Sequence, residues 1–218
     1  MRKYLKGKTV LCLGDSVTAG ALASSAKKNF VSVLARLSGA KVVNYGAGGS
    51  RIARQRKPSE NPRLDRDFLL RADEMQSNAD YVVVFGGTND FGHGDAPLGC
   101  ITDTDTASFY GCVYCLFEKL YSKYPNAKIV AITPMHRVSE YIRCEKGDVE
   151  IPLSDYVRAI KEVSAKLSVP VLDLYSSGNL IPDIPANKQL FFAEDGLHPN
   201  DEGHKRIAER LYKFILSL

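Results

Sequence analysis

Five stretches of the chain are almost continuously apolar and rich in β-branched residues: Thr9 to Leu13, Lys41 to Tyr45, Tyr81 to Phe85, Lys128 to Thr133 and Val169 to Leu174. Continuous rather than alternating apolar character marks strands buried on both faces, the condition of a parallel sheet covered by helices. Between them the apolar positions recur with the helical period. Phe109, Val113, Leu116, Leu120 and Tyr124 form one stripe, and Tyr156, Ile160, Val163 and Leu167 another. Phe30, Leu34 and Leu37 mark a helix that stops at Gly39, a residue suited to a left-handed C-cap. Ile207, Leu211, Phe214, Ile215 and Leu218 mark the last helix, with Asn200, Asp201 and Glu202 after Pro199 as its cap and first-turn anions. Strand alternating with helix over 218 residues predicts an α/β fold in one domain, residues 1–218: a three-layer α/β/α sandwich, flavodoxin-like, with a five-stranded parallel sheet.

Composition narrows the classes. No stretch reaches the ~20 apolar residues of a membrane helix, and Met1 to Lys8 leads straight into the first strand rather than into a signal peptide with a cleavage site, so a cytoplasmic protein is expected. Five cysteines cannot all pair, and Cys12 lies inside an apolar run. Cys112 and Cys115 form a Cys-x-x-Cys within a helical stripe, with no second pair at zinc-site spacing, and read as small hydrophobes rather than as ligands. The net charge of +4 is too small to argue for nucleic acid. It is concentrated, however: Arg51, Arg54, Arg56, Lys57, Arg63 and Arg66 face only Glu60 and Asp65 in the same stretch, which reads as a solvated surface.

Chemistry enters where strands end. Open parallel sheets bind ligands beyond the carboxyl ends of their strands, and four segments fall there or on the loop before the last helix: Gly14-Asp15-Ser16, Asn44 to Gly49, Gly87-Thr88-Asn89-Asp90 and Asp195-Gly196-Leu197-His198-Pro199. A serine hydroxyl is a poor nucleophile until a base takes its proton. His198 can be that base, because Asp195, three residues earlier, is near enough to accept from the imidazole and fix its tautomer. Gly46, Gly48, Gly49 and Asn89 offer backbone and side-chain donors for a developing oxyanion. Each element alone has a plain structural reading: Ser16 as a helix cap, the glycines as loop residues at positive φ, Asn89 as a turn residue, and Asp195 to Asn200 as a polar turn. Their joint presence favours catalysis. Asp15 reads as a holder of loop amides rather than as the acid of the set.

These four blocks, in this order, resemble the SGNH or GDSL-type hydrolase family over nearly the whole chain, with Val17 where leucine is common. The resemblance implies a carboxylic-ester hydrolase with Ser16 as nucleophile, His198 as general base and then acid, and Asp195 as its orienter. It implies an oxyanion hole made by the Ser16 and Gly49 backbone amides and the Asn89 side-chain amide, Gly49 standing five residues after Asn44 as in the family pattern. It further implies esters or thioesters cleaved through an acyl-enzyme with no metal or cofactor, and several members deacylate carbohydrates. The expected partner is therefore a small-molecule ester, an acylated carbohydrate among the candidates, with no nucleic acid and no membrane; the acyl group is expected to be short, such as acetyl, since no long apolar segment reads as a lipase lid.

The other histidines carry less. His204 falls in the last helix and is expected on the surface. His93, in the glycine-rich stretch from Phe91 to Gly99, and His136, after the fourth strand, are placed to border the pocket, and Arg51 to reach an anionic substrate group from its rim. Two further readings stay open: an acyltransferase of the same fold, and a non-catalytic flavodoxin-like module that binds a phosphorylated ligand, which would not need Asp195 and His198 together.

Overall fold

The computed structural model describes residues 4–141, 144–146 and 149–218; the side chains of residues 63, 64, 144–146, 149 and 150 also lie outside the described set. The expectations for the first three residues, for Arg63 and for Cys144 therefore fall outside it. In chain order the elements are β1 (Thr9–Gly14), α1 (Ser16–Ala19), α2 (Phe30–Ser38), β2 (Lys41–Gly46), α3 (Phe68–Asp73), β3 (Tyr81–Phe85), α4 (Thr88–His93), α5 (Phe109–Lys123) and β4 (Lys128–Ile132). There follow β5 (Cys144–Lys146), β6 (Val149–Ile151), α6 (Leu153–Lys166), β7 (Val171–Leu172), α7 (Leu174–Ser177), α8 (Pro185–Phe191) and α9 (Asp201–Ser217). Five strands make one all-parallel sheet in the order β2-β1-β3-β4-β7. The expected three-layer α/β/α architecture is the one found.

Alternation along the central strands divides the core in two. Leu11 and Leu13 of β1, Val82 and Val84 of β3, and Ile129 and Ala131 of β4 face one cluster with Phe68, Phe109, Leu116 and Tyr156 from α3, α5 and α6. Val10 and Cys12, Val83 and Phe85, and Val130 and Ile132 face the other, with Phe30 and Leu34 of α2 and Ile207 and Leu211 of α9. Each strand is thus apolar on both faces because each face meets a helix layer. Capping follows the sequence: Gly39 ends α2 at φ 74°, and the Asn200 side chain accepts from the N–H groups of Glu202 and Gly203 at the head of α9.

Two expectations need correction, and one strand pair was not foreseen. The fifth strand is shorter than the apolar run, since Asp173 caps α7 by accepting from Ser176 N and Leu174 is already helical. The antiparallel pair β5–β6 was not anticipated at all. His204 is not on the surface: α9 packs against α2, the imidazole is buried and lies stacked 6.4 Å from the Phe30 ring, and burial pushes its pKa down to about 4.

Candidate active site

Ser16 is the first residue of α1, directly after β1, and the preceding Asp15 caps that turn by accepting from Val17 N at 2.9 Å. The turn is fastened to its neighbour by Asn44, whose amide donates to Thr18 O at 2.8 Å while its oxygen accepts from Gly46 N at 2.8 Å. Gly46 is required there, because a β-carbon would sit 2.0 Å from Ala19 N. From the far end of the chain, the loop before α9 brings His198 to the same edge. Its Nε2 lies 2.9 Å from Ser16 Oγ and its Nδ1 lies 2.6 Å from Asp195 Oδ2. The second oxygen of Asp195 accepts from the backbone N–H groups of Leu197 and His198, both at 3.0 Å. Partial burial of Asp195 works against its charge, but the bonds from His198 and the two amides outweigh it and hold the carboxyl below its ordinary range. An ionised Asp195 requires a proton on Nδ1, which leaves the Nε2 lone pair to accept from the serine hydroxyl.

The donors converge on the same edge. Gly49 has φ 73°, a left-handed conformation that glycine adopts without strain. A β-carbon on Gly48 would lie 3.9 Å from Ser16 Cβ, which places this loop against the serine. Asn89, in the first turn of α4, is buried, and its side-chain nitrogen donates to Ser50 O at 3.0 Å. A primary amide has two N–H groups, so this bond fixes the side chain and leaves a second donor. The adjacent Asp90 holds the next loop by accepting from Ile52 N at 3.0 Å and Ala53 N at 2.8 Å.

Sequence reasoning missed Arg71, which holds the floor of the site. It is buried on α3, and its guanidinium donates to Gly14 O at 2.8 Å, to Ser50 Oγ at 2.8 Å and to Tyr45 O, joining the ends of β1 and β2 to the loop after Gly49. Its only signal was one basic residue beside the apolar Phe68, Leu69 and Ala72 on a short helix. Glu140 was missed too: it is buried, and His136 Nδ1 lies 2.8 Å from its Oε1.

The three anticipated substrate contacts are placed differently from one another. Arg51, expected at the rim, is buried; Nη1 donates to His93 Nδ1 at 2.7 Å and Nη2 pairs with Asp65 at 3.3 Å. Its charge is turned inward because the loop after Gly49 folds back over α4. His93 is exposed but takes part in that pair. His136 is half-buried, stacked 4.0 Å from the Tyr175 ring, and its pKa is raised chiefly by the bond to Glu140. The basic stretch is accordingly a mixture: Arg54 is exposed and pairs with the buried Asp67, and Arg66 pairs with Glu74 on the surface.

Beside the Ser16 turn lies a small cavity of about 10 Å³, bordered by Val17, Phe85, Pro134, Met135 and Leu197 and, on its polar flank, by Asp15, Thr88 and Arg137.

A parallel sheet covered on both faces, with serine, histidine and carboxylate in one hydrogen-bonded line at its carboxyl edge, has the layout on which serine hydrolases work. The chain belongs to the GDSL-like lipase/acylhydrolase family, whose family model matches residues 12–206, and is a carboxylic-ester hydrolase. One similar solved structure is 33% identical over 100% of this chain and 99% of the other, with a TM-score of 0.85. A protein from Lactobacillus plantarum is 31% identical over 96% of this chain and 97% of its own, at TM-score 0.81. An acetyl xylan esterase shares the fold at 22% identity and TM-score 0.66, over 94% of this chain and 98% of its own. No curated protein matches the chain. Among the described residues no helix is long and apolar enough to cross a membrane.

Proposed function

We propose that the protein is a serine esterase that removes short acyl groups, such as acetyl, from a polar alcohol, an acylated carbohydrate being the class we favour. The observation that carries this reading is the unbroken line Ser16 Oγ, His198 Nε2, His198 Nδ1, Asp195 Oδ2, with separations of 2.9 and 2.6 Å between residues. In it, Ser16 Oγ attacks the ester carbon as His198 takes the hydroxyl proton, and Asp195 steadies the imidazolium. The tetrahedral oxyanion is held by the Ser16 and Gly49 N–H groups and the second N–H of Asn89. His198 then gives its proton to the leaving alcohol oxygen as the C–O bond breaks and an acyl-serine remains. Water, deprotonated by the same histidine, attacks the acyl-serine; as the bond to Ser16 Oγ breaks, His198 returns the proton to that oxygen, and the carboxylic acid and free serine are released. Two observations suit a small acyl group: the cavity beside the serine turn holds little more than one water-sized group, and a protein of the same fold is an acetyl xylan esterase. The cytoplasm is the compartment that suits the free thiols of Cys12, Cys100, Cys112 and Cys115.

Covalent labelling by an organophosphonate tests the mechanism, since it demands an activated serine. Stoichiometric labelling that maps to Ser16 and vanishes in Ser16→Ala is expected; an unlabelled but folded wild-type protein would refute the proposal.

A further inference from the structure

We infer that Glu140 and His136 are positioning residues, which hold one loop as a bridge between the helix that carries Asn89 and the loop that carries Asp195 and His198. The inference rests on the proposed esterase reading and gives two residues outside its reacting groups a part in its rate. The bridge is the segment after β4. Arg137 Nη1 donates to Thr88 O and to Thr88 Oγ1, both at 3.3 Å, and Thr88 is the first residue of α4, directly before Asn89. The next residue reaches the other way: Val138 N–H donates to Gly196 O at 3.0 Å, between Asp195 and His198. Both contacts fit closely. A β-carbon on Gly92 of α4 would lie 3.1 Å from Arg137 Nη1, and one on Gly196, which has φ 61°, would lie 2.5 Å from Val138 Cγ1. Two adjacent residues of one loop thus tie the proposed oxyanion donor to the proposed base, so a shift of that loop loosens both.

The loop needs support to keep this shape. It passes through Ser139 at φ 62°, a left-handed conformation that a residue other than glycine adopts at a cost and keeps only where its surroundings hold it. Glu140 is that hold. Its buried carboxylate meets His136 Nδ1 at 2.8 Å and Tyr175 OH at 3.4 Å with Oε1, and accepts from Arg137 N at 3.2 Å with Oε2, which closes the turn around Val138. Burial works against the charge of Glu140, but the bonds from His136 and Arg137 N outweigh it and keep the carboxyl below its ordinary range, while the same pairing raises His136. The clamp is itself fixed to the sheet. His136 stacks 4.0 Å from the Tyr175 ring, and Tyr175 N donates to Thr133 Oγ1 at 3.1 Å, just after β4. Leu153 N, at the head of α6, donates to Glu140 O at 3.4 Å. A buried ion pair adds little net stability, but it admits one arrangement of the loop that carries it.

The experiment measures kcat and KM on nitrophenyl acetate for the wild type, Glu140→Ala, Glu140→Gln and His136→Phe, with thermal melts and organophosphonate titration of active sites in each. Glu140→Ala should lower kcat by about 10- to 100-fold, the loss that a displacement of about 1 Å produces at reacting groups. KM should stay within about threefold of wild type, because neither residue touches the substrate. Glu140→Gln should recover most of the loss, since its oxygen can accept from Arg137 N while its amide donates to Nδ1 of a neutral His136. His136→Phe keeps the stack on Tyr175 but removes the donor to Glu140; it should lose kcat in the same direction, and it keeps the test decisive should Glu140→Ala fail to fold. A folded Glu140→Ala or His136→Phe enzyme with kcat within about twofold of wild type overturns the inference. So does a loss confined to KM, which would place the pair against the substrate, and so does a Glu140→Gln enzyme as slow as Glu140→Ala. A folded wild type that the organophosphonate leaves unlabelled would instead sink the esterase reading beneath it.

Discussion

Replacing Asp195 with asparagine isolates what a carboxylate does at this position. Asp195 makes three acceptor bonds: one from His198 Nδ1 at 2.6 Å and one from each of the backbone N–H groups of Leu197 and His198 at 3.0 Å. An amide of the same shape can keep its oxygen on the two backbone donors, which preserves the turn, but it then presents an NH₂ group to Nδ1. The imidazole must turn its lone pair to that donor and carry its proton on Nε2, where it faces Ser16 Oγ and cannot take the hydroxyl proton. A wrong tautomer of this kind costs about 10⁴ in kcat where the acid is buried. Asp195 retains 38% of its side-chain exposure, so water can partly substitute for the lost charge, and the expected loss is ~10³ to 10⁴, or ~4 to 5.5 kcal/mol at ~1.4 per decade. KM should change by less than about threefold, because the substitution leaves the pocket walls untouched. Initial rates on nitrophenyl acetate over a range of concentrations measure both constants, and a thermal melt checks the fold. A folded Asp195→Asn enzyme with kcat within about tenfold of wild type, or one altered only in KM, would show that Asp195 does not orient the base.

Asn89→Ala should lower kcat by about 10² to 10³ with little change in KM, since its second N–H bonds most strongly as the oxyanion develops, and a loss confined to KM would contradict that role. Arg71→Met should lower stability by about 2 to 4 kcal/mol in urea denaturation, because Gly14 O, Tyr45 O and Ser50 Oγ lose a buried donor; a loss under about 0.5 kcal/mol would mean that water replaces it. Arg51→Ala should reduce activity on neutral and acidic esters alike, because the side chain is buried against His93 and Asp65; a loss specific to an acidic ester and relieved by salt would restore a role in selection. His204 stays neutral in the folded chain down to about pH 4, against 6.5 when unfolded, so the unfolded state binds the extra proton between these values. Stability should therefore fall by about 3 kcal/mol as pH drops from 6.5 to 4, and His204→Phe, which keeps the stack on Phe30, should flatten urea midpoints across that window.

Most of the fold was legible because it is written in apolar runs, which become doubly covered strands in β1, β3 and β4 and the half-covered edge strand β2. The short fifth strand was overdrawn because Asp173, inside the run, is a helix cap, and nothing in hydrophobicity separates a capping aspartate from a strand interruption. The β5–β6 pair was not legible, since three-residue strands are too short to show a period. The candidate site residues could be picked out of the sequence, because Ser16, Asn89, Asp195 and His198 each stand within two residues of a glycine at an element boundary. Their supports could not. Arg71, Glu140 and His204 are single ionisable residues within or beside apolar stretches, and whether such a residue faces water or core depends on the element that packs over it. Arg51 failed for the same reason in reverse: its place two residues beyond Gly49 was right, but the loop folds inward and spends its charge on His93 and Asp65.

Asp15 and Asp195 both lie close to His198, and their environments divide the work between them. Asp15 is almost completely buried beneath the Ser16 turn, and burial, reinforced by the charge of Asp90, pushes its pKa up to about 7 against the opposing bond from Val17 N. Burial therefore opposes its negative charge, which makes it a poorer partner than Asp195 for an imidazolium. Asp195 stands at the rim, where its solvation is only partly lost and three donors favour the ionised form. It keeps its charge throughout the range in which a histidine base works. The deep carboxyl can therefore hold a turn in either protonation state, since the oxygen that accepts from Val17 N need not be the one that carries the proton. The shallow carboxylate is the one able to stabilise charge that comes and goes within each catalytic cycle. A short loop before α9 serves this purpose better than the end of a strand would, because it leaves the carboxylate wet enough to stay ionised while its own amides fix the direction in which it points.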